Sequence, residues 1–126
     1  MEILQKVKDL DDVLVGYRFV CPGCAEAAKT NKRLIPVHYI TVARMARFPE
    51  SEGRPIWEFN GNEEKPTFTP SIKCEIDYFD HLHVCHSYVT DGQIQFLHDC
   101  THPLKGQTVP LPEYDIKEWK KANQKD

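Results

Sequence analysis

The chain lacks the segments that carry a protein to a membrane or hold it there. Its first residues, Met-Glu-Ile-Leu-Gln-Lys, contain neither the basic region nor the apolar run of a signal peptide. No apolar run approaches the length of about 20 residues that spans a bilayer. We therefore expect a cytoplasmic protein with no membrane partner.

An excess of positive charge is also missing. The 126 residues include 16 Lys and Arg against 19 Asp and Glu, and the formal net charge is −3. Proteins that bind nucleic acid usually present a strongly basic surface, so this balance disfavours a nucleic-acid partner. Internal repeats and low-complexity segments are absent as well. With 40% hydrophobic residues, the composition predicts one globular domain over residues 1–126.

Five cysteines are present, an odd number. In a reducing compartment such thiols are more often free or metal-bound than disulfide-bonded. Cys21-Pro-Gly-Cys24 directly follows Leu14–Val20, a segment whose β-branched and aromatic residues predict a strand. A Cys-x-x-Cys turn after a strand holds two thiolates toward one ion, and Zn²⁺ takes four such ligands tetrahedrally. Buried free thiols and a redox pair are the alternatives for these two cysteines.

The stretch 85–102 predicts one β-hairpin. Two runs of alternating polarity, 84–90 and 93–97, flank Asp91-Gly92. This dipeptide readily adopts the positive φ angles that a two-residue type I′ turn requires. The turn fixes the register of the hairpin, and therefore which side chains share a face.

The hairpin offers the ligands that would complete a zinc site. In the predicted register Cys85 faces His98, and Cys100 lies diagonally from Cys85 on the same face. We therefore expect Cys21, Cys24, Cys85 and Cys100 to bind Zn²⁺. His38 and His102 are alternative candidates for the fourth ligand position.

The opposite face of the hairpin carries a second constellation. His86 and Asp99 share that face, and His102 follows three residues later. A carboxylate that orients an imidazole serves general acid-base catalysis or supports a metal ligand. The alternative is a polar, solvated face without chemistry. His86, Asp99 and His102 are therefore the candidate catalytic residues.

Elsewhere the pattern predicts further strands and one short helix. Residues 56–59 lead into Asn60-Gly61, another hairpin-turn dipeptide. The proline-rich segment 66–71 predicts an extended edge or an ordered loop, not a central strand. Asp115 can cap a helix at 116–123. The expected fold is mainly β, a small α+β protein, in which antiparallel hairpins surround a zinc-ribbon-like site and a short helix follows near the C-terminus.

In their order along the chain, these motifs resemble a family of small proteins of tailed phages and prophages that are often labelled "ammonia monooxygenase". The resemblance lies in five segments: Phe-Val-Cys-Pro-Gly-Cys at 19–24, Trp-Glu-Phe-Asn-Gly-Asn at 57–62, Pro-Thr-Phe-Thr-Pro-Ser at 66–71, Cys-His-Ser-Tyr-Val-Thr-Asp-Gly-Gln-Ile-Gln-Phe-Leu at 85–97, and Asp-Cys-Thr-His-Pro-Leu-Lys-Gly-Gln-Thr-Val at 99–109. It implies a phage setting and a zinc-ribbon-like β fold. It implies no reaction, because an ammonia monooxygenase is a multi-subunit membrane enzyme and this chain has no membrane spans.

The chain departs from that family pattern in one place. The family has a His soon after Cys-Pro-Gly-Cys, whereas this chain has residues 25–36 inserted there, which leaves His38 as the candidate for the displaced equivalent. Family members also carry Ser at the Cys100 position. That variation argues against Cys100 as an obligatory ligand and in favour of His102.

Three functions are open at this point. The leading hypothesis is a non-enzymatic phage accessory protein that binds a host protein or a small ligand, with the zinc ion structural. The alternative is a zinc-dependent hydrolase that uses His86, Asp99 and His102 around an open metal position. The third is a nucleic-acid-binding zinc ribbon, which needs a contiguous Lys and Arg face.

Overall fold

The computed structural model describes residues 2–43 and 56–114. The predicted helix at 116–123 lies outside these residues. In the described part the chain forms strands and one short helix, in the order β1 (Gln5–Lys8), β2 (Leu14–Val20), α1 (Pro22–Ala28), β3 (Val37–Thr41), β4 (Glu58–Phe59), β5 (Phe68–Asp77), β6 (Leu82–Thr90), β7 (Gln93–Phe96) and β8 (Thr108–Pro110).

The strands form two antiparallel sheets. The first has the order β1-β2-β3, and the second has the order β4-β5-β6-β7-β8. Their buried side chains meet in one core, in which Phe19 of the first sheet lies beside Phe68 of the second with ring centroids 6.4 Å apart. The mainly β prediction is therefore confirmed. No helix in residues 2–43 and 56–114 is long and apolar enough to cross a membrane.

The β6–β7 hairpin has the predicted turn. Asp91 and Gly92 adopt φ angles of 50° and 77°, the positive values of a type I′ turn, and Thr90 pairs with Gln93. The predicted register holds as far as Ser87 and Phe96. The predicted pairing of Cys85 with His98 is wrong, because β7 ends at Phe96 and the chain then turns.

The segment Pro66–Ser71 is not the extended edge or loop that the sequence predicts. The second half of this segment is the start of β5, which lies between β4 and β6 and is therefore a central strand. The sheet accommodates Pro70 through a register shift against β6 between Phe68 and Ile72. Such irregularities re-aim side chains next to functional sites. Ser71 lies inside this shift.

Candidate active site and metal centre

Strand β6 has two chemically different faces. Its inner face carries His83, Cys85, Ser87 and Val89, all buried, whereas His86 and Tyr88 lie on the outer face. Successive side chains of a strand point to opposite faces, so the consecutive residues Cys85 and His86 belong to different sites.

On the outer face, three side chains form a hydrogen-bonded chain. The Ser71 hydroxyl oxygen lies 3.0 Å from His86 Nε2, and His86 Nδ1 lies 3.0 Å from Asp99 Oδ2. A carboxylate only accepts hydrogen bonds, so Nδ1 carries the proton. Nε2 of the neutral ring then accepts the hydroxyl proton of Ser71. This is the order of groups in serine hydrolases: nucleophile, general base and orienting carboxylate.

The irregular start of β5 positions Ser71. With the ladder shifted between Phe68 and Ile72, the hydroxyl reaches across to His86 on the neighbouring strand. The Trp57 indole N–H donates to the Ser71 carbonyl oxygen at 3.3 Å. This contact holds the backbone of Ser71.

A turn after β7 positions Asp99. The Leu97 N–H still donates to the His86 carbonyl at 2.9 Å, as the hairpin register requires. The Thr101 N–H then donates to the Val84 carbonyl, where the same register would place Asp99. The chain between Leu97 and Thr101 therefore contains two residues more than a regular ladder would. This turn lets the Asp99 carboxylate reach His86 Nδ1.

On the inner face, four buried donors converge. The ligand atoms of Cys21, Cys24, His38 and Cys85 all lie within 4.8 Å of one another. The Sγ atoms of Cys21 and Cys85 are 3.7 Å apart, and Cys24 Sγ lies 3.7 Å from His38 Nε2. Tetrahedral zinc bonds of about 2.3 Å to sulfur and 2.0 Å to nitrogen require separations of about 3.8 and 3.5 Å. These two separations fit tetrahedral coordination, and all four donors lie close enough together to hold one metal ion.

The charges of these thiols also fit a cation. Burial by itself raises the pKa of the Cys21 thiol, yet hydrogen bonds with Cys24 and Cys85 and the nearby His38 hold it well below its usual range. The pKa values of Cys24 and Cys85 are raised, chiefly by their hydrogen bonds with Cys21. The protein groups alone thus favour one thiolate among three thiols. A divalent cation supplies the charge that lets all three ionise.

Local structure explains why the Cys-x-x-Cys segment is so compact. Cys21 is the N-cap of α1, and its sulfur accepts the Cys24 N–H at 3.4 Å. Pro22 occupies the first helical position, where a missing N–H costs nothing. The helix start therefore directs both sulfur atoms to the same point.

Two further histidines surround the cluster. His83 Nε2 lies 3.3 Å from Cys24 Sγ, where an imidazole N–H can donate to a thiolate. His102 belongs with Cys85 and Cys100 to a second group of three donors within 4.8 Å. The pKa of His83 is lowered first by burial and then by the nearby His102. Burial also lowers the pKa of His102. Both shifts favour neutral imidazole rings at this cluster.

The structure thus separates the three predicted catalytic residues. His86 and Asp99 are together, whereas His102 is buried and its ring packs edge-on against Phe96 at 4.5 Å. Neither His86 nor Asp99 belongs to the two donor groups found among the described residues. The third member of the outer-face chain is Ser71.

The helix start packs directly on His102. A Cβ atom added at Gly23 would overlap the His102 ring. We predict that Gly23→Ala lowers the free energy of unfolding by about 1–3 kcal/mol, because either the ring or the helix must move. Denaturant unfolding measures the loss. Lys29→Ala, at an exposed position after α1, is the control with a change within about 0.5 kcal/mol; an equal change in both variants would contradict the prediction.

A groove of about 280 Å³ lies on the outer face of the β6–β7 hairpin. Tyr88, two residues from His86 on the same face, contributes to its lining together with Gln95, which pairs with Tyr88 across the hairpin. A larger cavity of about 540 Å³ lies near α1 and is lined partly by His83 and His102. The lining of neither cavity includes Ser71, His86 or Asp99.

Sequence reasoning missed two residues of these sites. Ser71 lies in a proline-rich segment whose pairing with β6 no local pattern reveals. The sequence does contain a signal for His83. It precedes Cys85 by two residues, and a strand places such residues on the same face.

Fold and site together define a small, mainly β protein with a serine–histidine–aspartate chain on one face of a sheet and a thiol-rich cluster beneath it. The family model described as bacterial ubiquitination-like system serine protease (BubE) matches residues 6–97, and the chain belongs to this family. The matched region contains Ser71, His86 and the four converging donors. Comparison with curated proteins and with solved structures gave no match.

Proposed function

We propose that this protein is a serine protease in which Ser71 is the nucleophile, His86 the general base and Asp99 the residue that orients His86. The observation that carries the proposal is the continuous hydrogen-bond chain from Ser71 through His86 to Asp99, with 3.0 Å at both links. The family description supports the same class of enzyme.

The first half of the reaction forms an acyl-enzyme. Ser71 Oγ attacks the carbonyl carbon of the scissile bond while its proton passes to His86 Nε2. The resulting imidazolium donates through Nδ1 to Asp99, whose negative charge stabilises it. When the tetrahedral intermediate collapses, Nε2 returns the proton to the leaving amine, and the carbonyl carbon remains bonded to Ser71.

The second half releases the acyl group. A water molecule gives its proton to His86 Nε2 and attacks the acyl carbon, and Nε2 then protonates Ser71 Oγ as the ester bond breaks. The products are a carboxylic acid and the free serine. The outer face suits this step, because the Asp99 side chain is 48% exposed and solvent reaches the site.

We further propose that Cys21, Cys24, His38 and Cys85 bind one Zn²⁺ ion. With four protein ligands such an ion is structural, and it contributes folding free energy. Cys85 and His86 are adjacent on β6, so a ligand bond at Cys85 fixes the strand that presents the catalytic imidazole. The chemistry at Ser71 needs no metal-bound water.

The substrate that we propose is a polypeptide of a bacterial ubiquitination-like system, as the family description suggests. This proposal replaces the non-enzymatic module that the sequence favoured, which the family description does not confirm. It retains one expectation, a protein partner, which now becomes the substrate.

A fluorophosphonate probe tests the proposal, because it reacts covalently with activated serines. We expect one probe per folded chain, mapped by mass spectrometry to Ser71, and no labelling after denaturation. Labelling at another residue, or none in the metal-loaded folded protein, would contradict it.

We predict that Asp99→Asn slows labelling and hydrolysis by about 10²–10⁴-fold. An amide donates to His86 Nδ1, which leaves the proton on Nε2 and removes the acceptor for the Ser71 hydroxyl. The rate constant of fluorophosphonate labelling measures the effect. Asp77→Asn is the control, because Asp77 lies on β5 at the far end from Ser71 and caps the Phe79 N–H; similar losses in both variants would refute the role of Asp99.

A further inference from the structure

The thiol of Cys100 makes two hydrogen bonds to the backbone of His86. The His86 N–H donates to Cys100 Sγ at 3.2 Å, and the thiol S–H donates to the His86 carbonyl at 3.2 Å. Cys100 is buried and directly follows Asp99. The Cys100 side chain thus ties the residue after Asp99 to the backbone of His86.

These bonds replace a missing part of the sheet ladder. In the hairpin register His86 faces Leu97, and the Leu97 N–H reaches the His86 carbonyl. The return bond, from the His86 N–H to the Leu97 carbonyl, is the one that a regular antiparallel pair would add. The Leu97 carbonyl instead accepts the Cys100 N–H at 3.3 Å. The Cys100 thiol therefore accepts the N–H that the turn leaves without its ladder partner.

Thr101, the residue after Cys100, makes the same two kinds of hydrogen bond to the backbone of Val84. Thr101 Oγ1 accepts the Val84 N–H at 3.0 Å and donates to the Val84 carbonyl at 3.4 Å. Two consecutive side chains thus attach the turn that carries Asp99 to the strand that carries His86.

We propose that Cys100 is a positioning residue of the Ser71–His86–Asp99 chain and not a metal ligand. The inference rests on the proposed protease function. Its thiol holds the Asp99 turn at the distance at which the carboxylate meets His86 Nδ1.

The test compares Cys100→Ser with Cys100→Ala in the metal-loaded protein, with fluorophosphonate as the probe. A serine hydroxyl can donate and accept as the thiol does, whereas alanine can do neither. We expect Cys100→Ala to lower the maximal labelling rate by about 10-fold or more at unchanged probe affinity, since small displacements of reacting groups are costly. Cys100→Ser should stay within about 3-fold of wild type, and all variants should retain the metal.

Cys74→Ala provides the matched control, because Cys74 is a half-buried thiol on β5 that pairs with Cys85 and not with His86. It should label at the wild-type rate. If Cys100→Ala does not fold, Cys100→Val fills the space without the hydrogen bonds and gives the same comparison with Cys100→Ser.

Three results would overturn the proposal: loss of the metal in Cys100→Ala, a wild-type rate in that variant, or an equal loss in Cys100→Ser. A second measurement separates this inference from the protease proposal. The downfield ¹H resonance of the His86 Nδ1–H, assigned by its absence in His86→Gln, should shift or broaden in Cys100→Ala and persist in Cys100→Ser. This signal reports the His86–Asp99 bond even if wild-type Ser71 proves unreactive.

Discussion

Ser71→Ala is expected to abolish covalent labelling and to lower hydrolysis by at least about 10³-fold, because the proposed nucleophile is removed. Zinc content and melting temperature should stay close to wild type, since Ser71 lies on the outer face, away from the four thiol and imidazole donors. The measurement is the labelled fraction by intact mass, with the hydrolysis rate of a p-nitrophenyl ester alongside.

Ser87→Ala is the matched control for this result. Ser87 lies on the inner face of β6, is fully buried, and its hydroxyl has no hydrogen-bond partner among the described residues. Removing an unpaired buried hydroxyl is close to neutral or stabilising, so labelling should persist and the melting temperature should not fall. If Ser71→Ala still accepts the probe, or if Ser87→Ala loses labelling instead, the nucleophile is misassigned.

Removal of the metal is expected to have the second large effect. Wild-type protein should contain one zinc ion per chain, and Cys24→Ser should lose it together with at least about 3 kcal/mol of unfolding free energy. The physical reason is that, without the ion, the remaining buried thiols cannot all ionise. The start of α1 then loses the bonds through the ion that hold it to the other ligands. Elemental analysis and thermal unfolding, with and without a strong chelator, measure both changes.

Substitution of the two competing histidines separates the ligand sets. His38→Ala should lower the zinc content, whereas His102→Ala should retain one zinc ion, because only His38 lies in the group with Cys21, Cys24 and Cys85. Cys74→Ser is the control at a thiol outside both donor groups. Metal-free wild type that folds with the same stability, or metal loss in His102→Ala alone, would contradict this assignment.

The two sites should respond to each other in one direction. Cys85 and His86 are consecutive residues on β6, so we expect loss of an ion at Cys85 to loosen the strand that carries the proposed general base. Ser71 contacts His86 through its hydroxyl, and its replacement by alanine leaves all four proposed ligands in the chain. We therefore expect chelation to stop labelling at Ser71, and Ser71→Ala to leave metal binding intact.

The sequence by itself determined the features that depend on neighbouring residues. Asp91-Gly92 specified a type I′ turn because positive φ angles at both positions are cheap for this pair. The β-branched and aromatic run Leu14–Val20 specified a strand, and Cys21-Pro-Gly-Cys24 marked the first pair of converging thiols. The strand period placed His86 on the face opposite to Cys85.

Only the tertiary structure decided which distant residues meet. Ser71 reaches His86 because β5 shifts register at Pro70, and that shift depends on how a proline without an N–H fits into a central strand. His38 joins the cluster because β3 pairs with β2 so that His38 faces Phe19, two residues before Cys21. Cys100 turns to the His86 backbone because two extra residues leave the ladder after Leu97. Strand registers and side-chain packing set these contacts, and no local pattern encodes them.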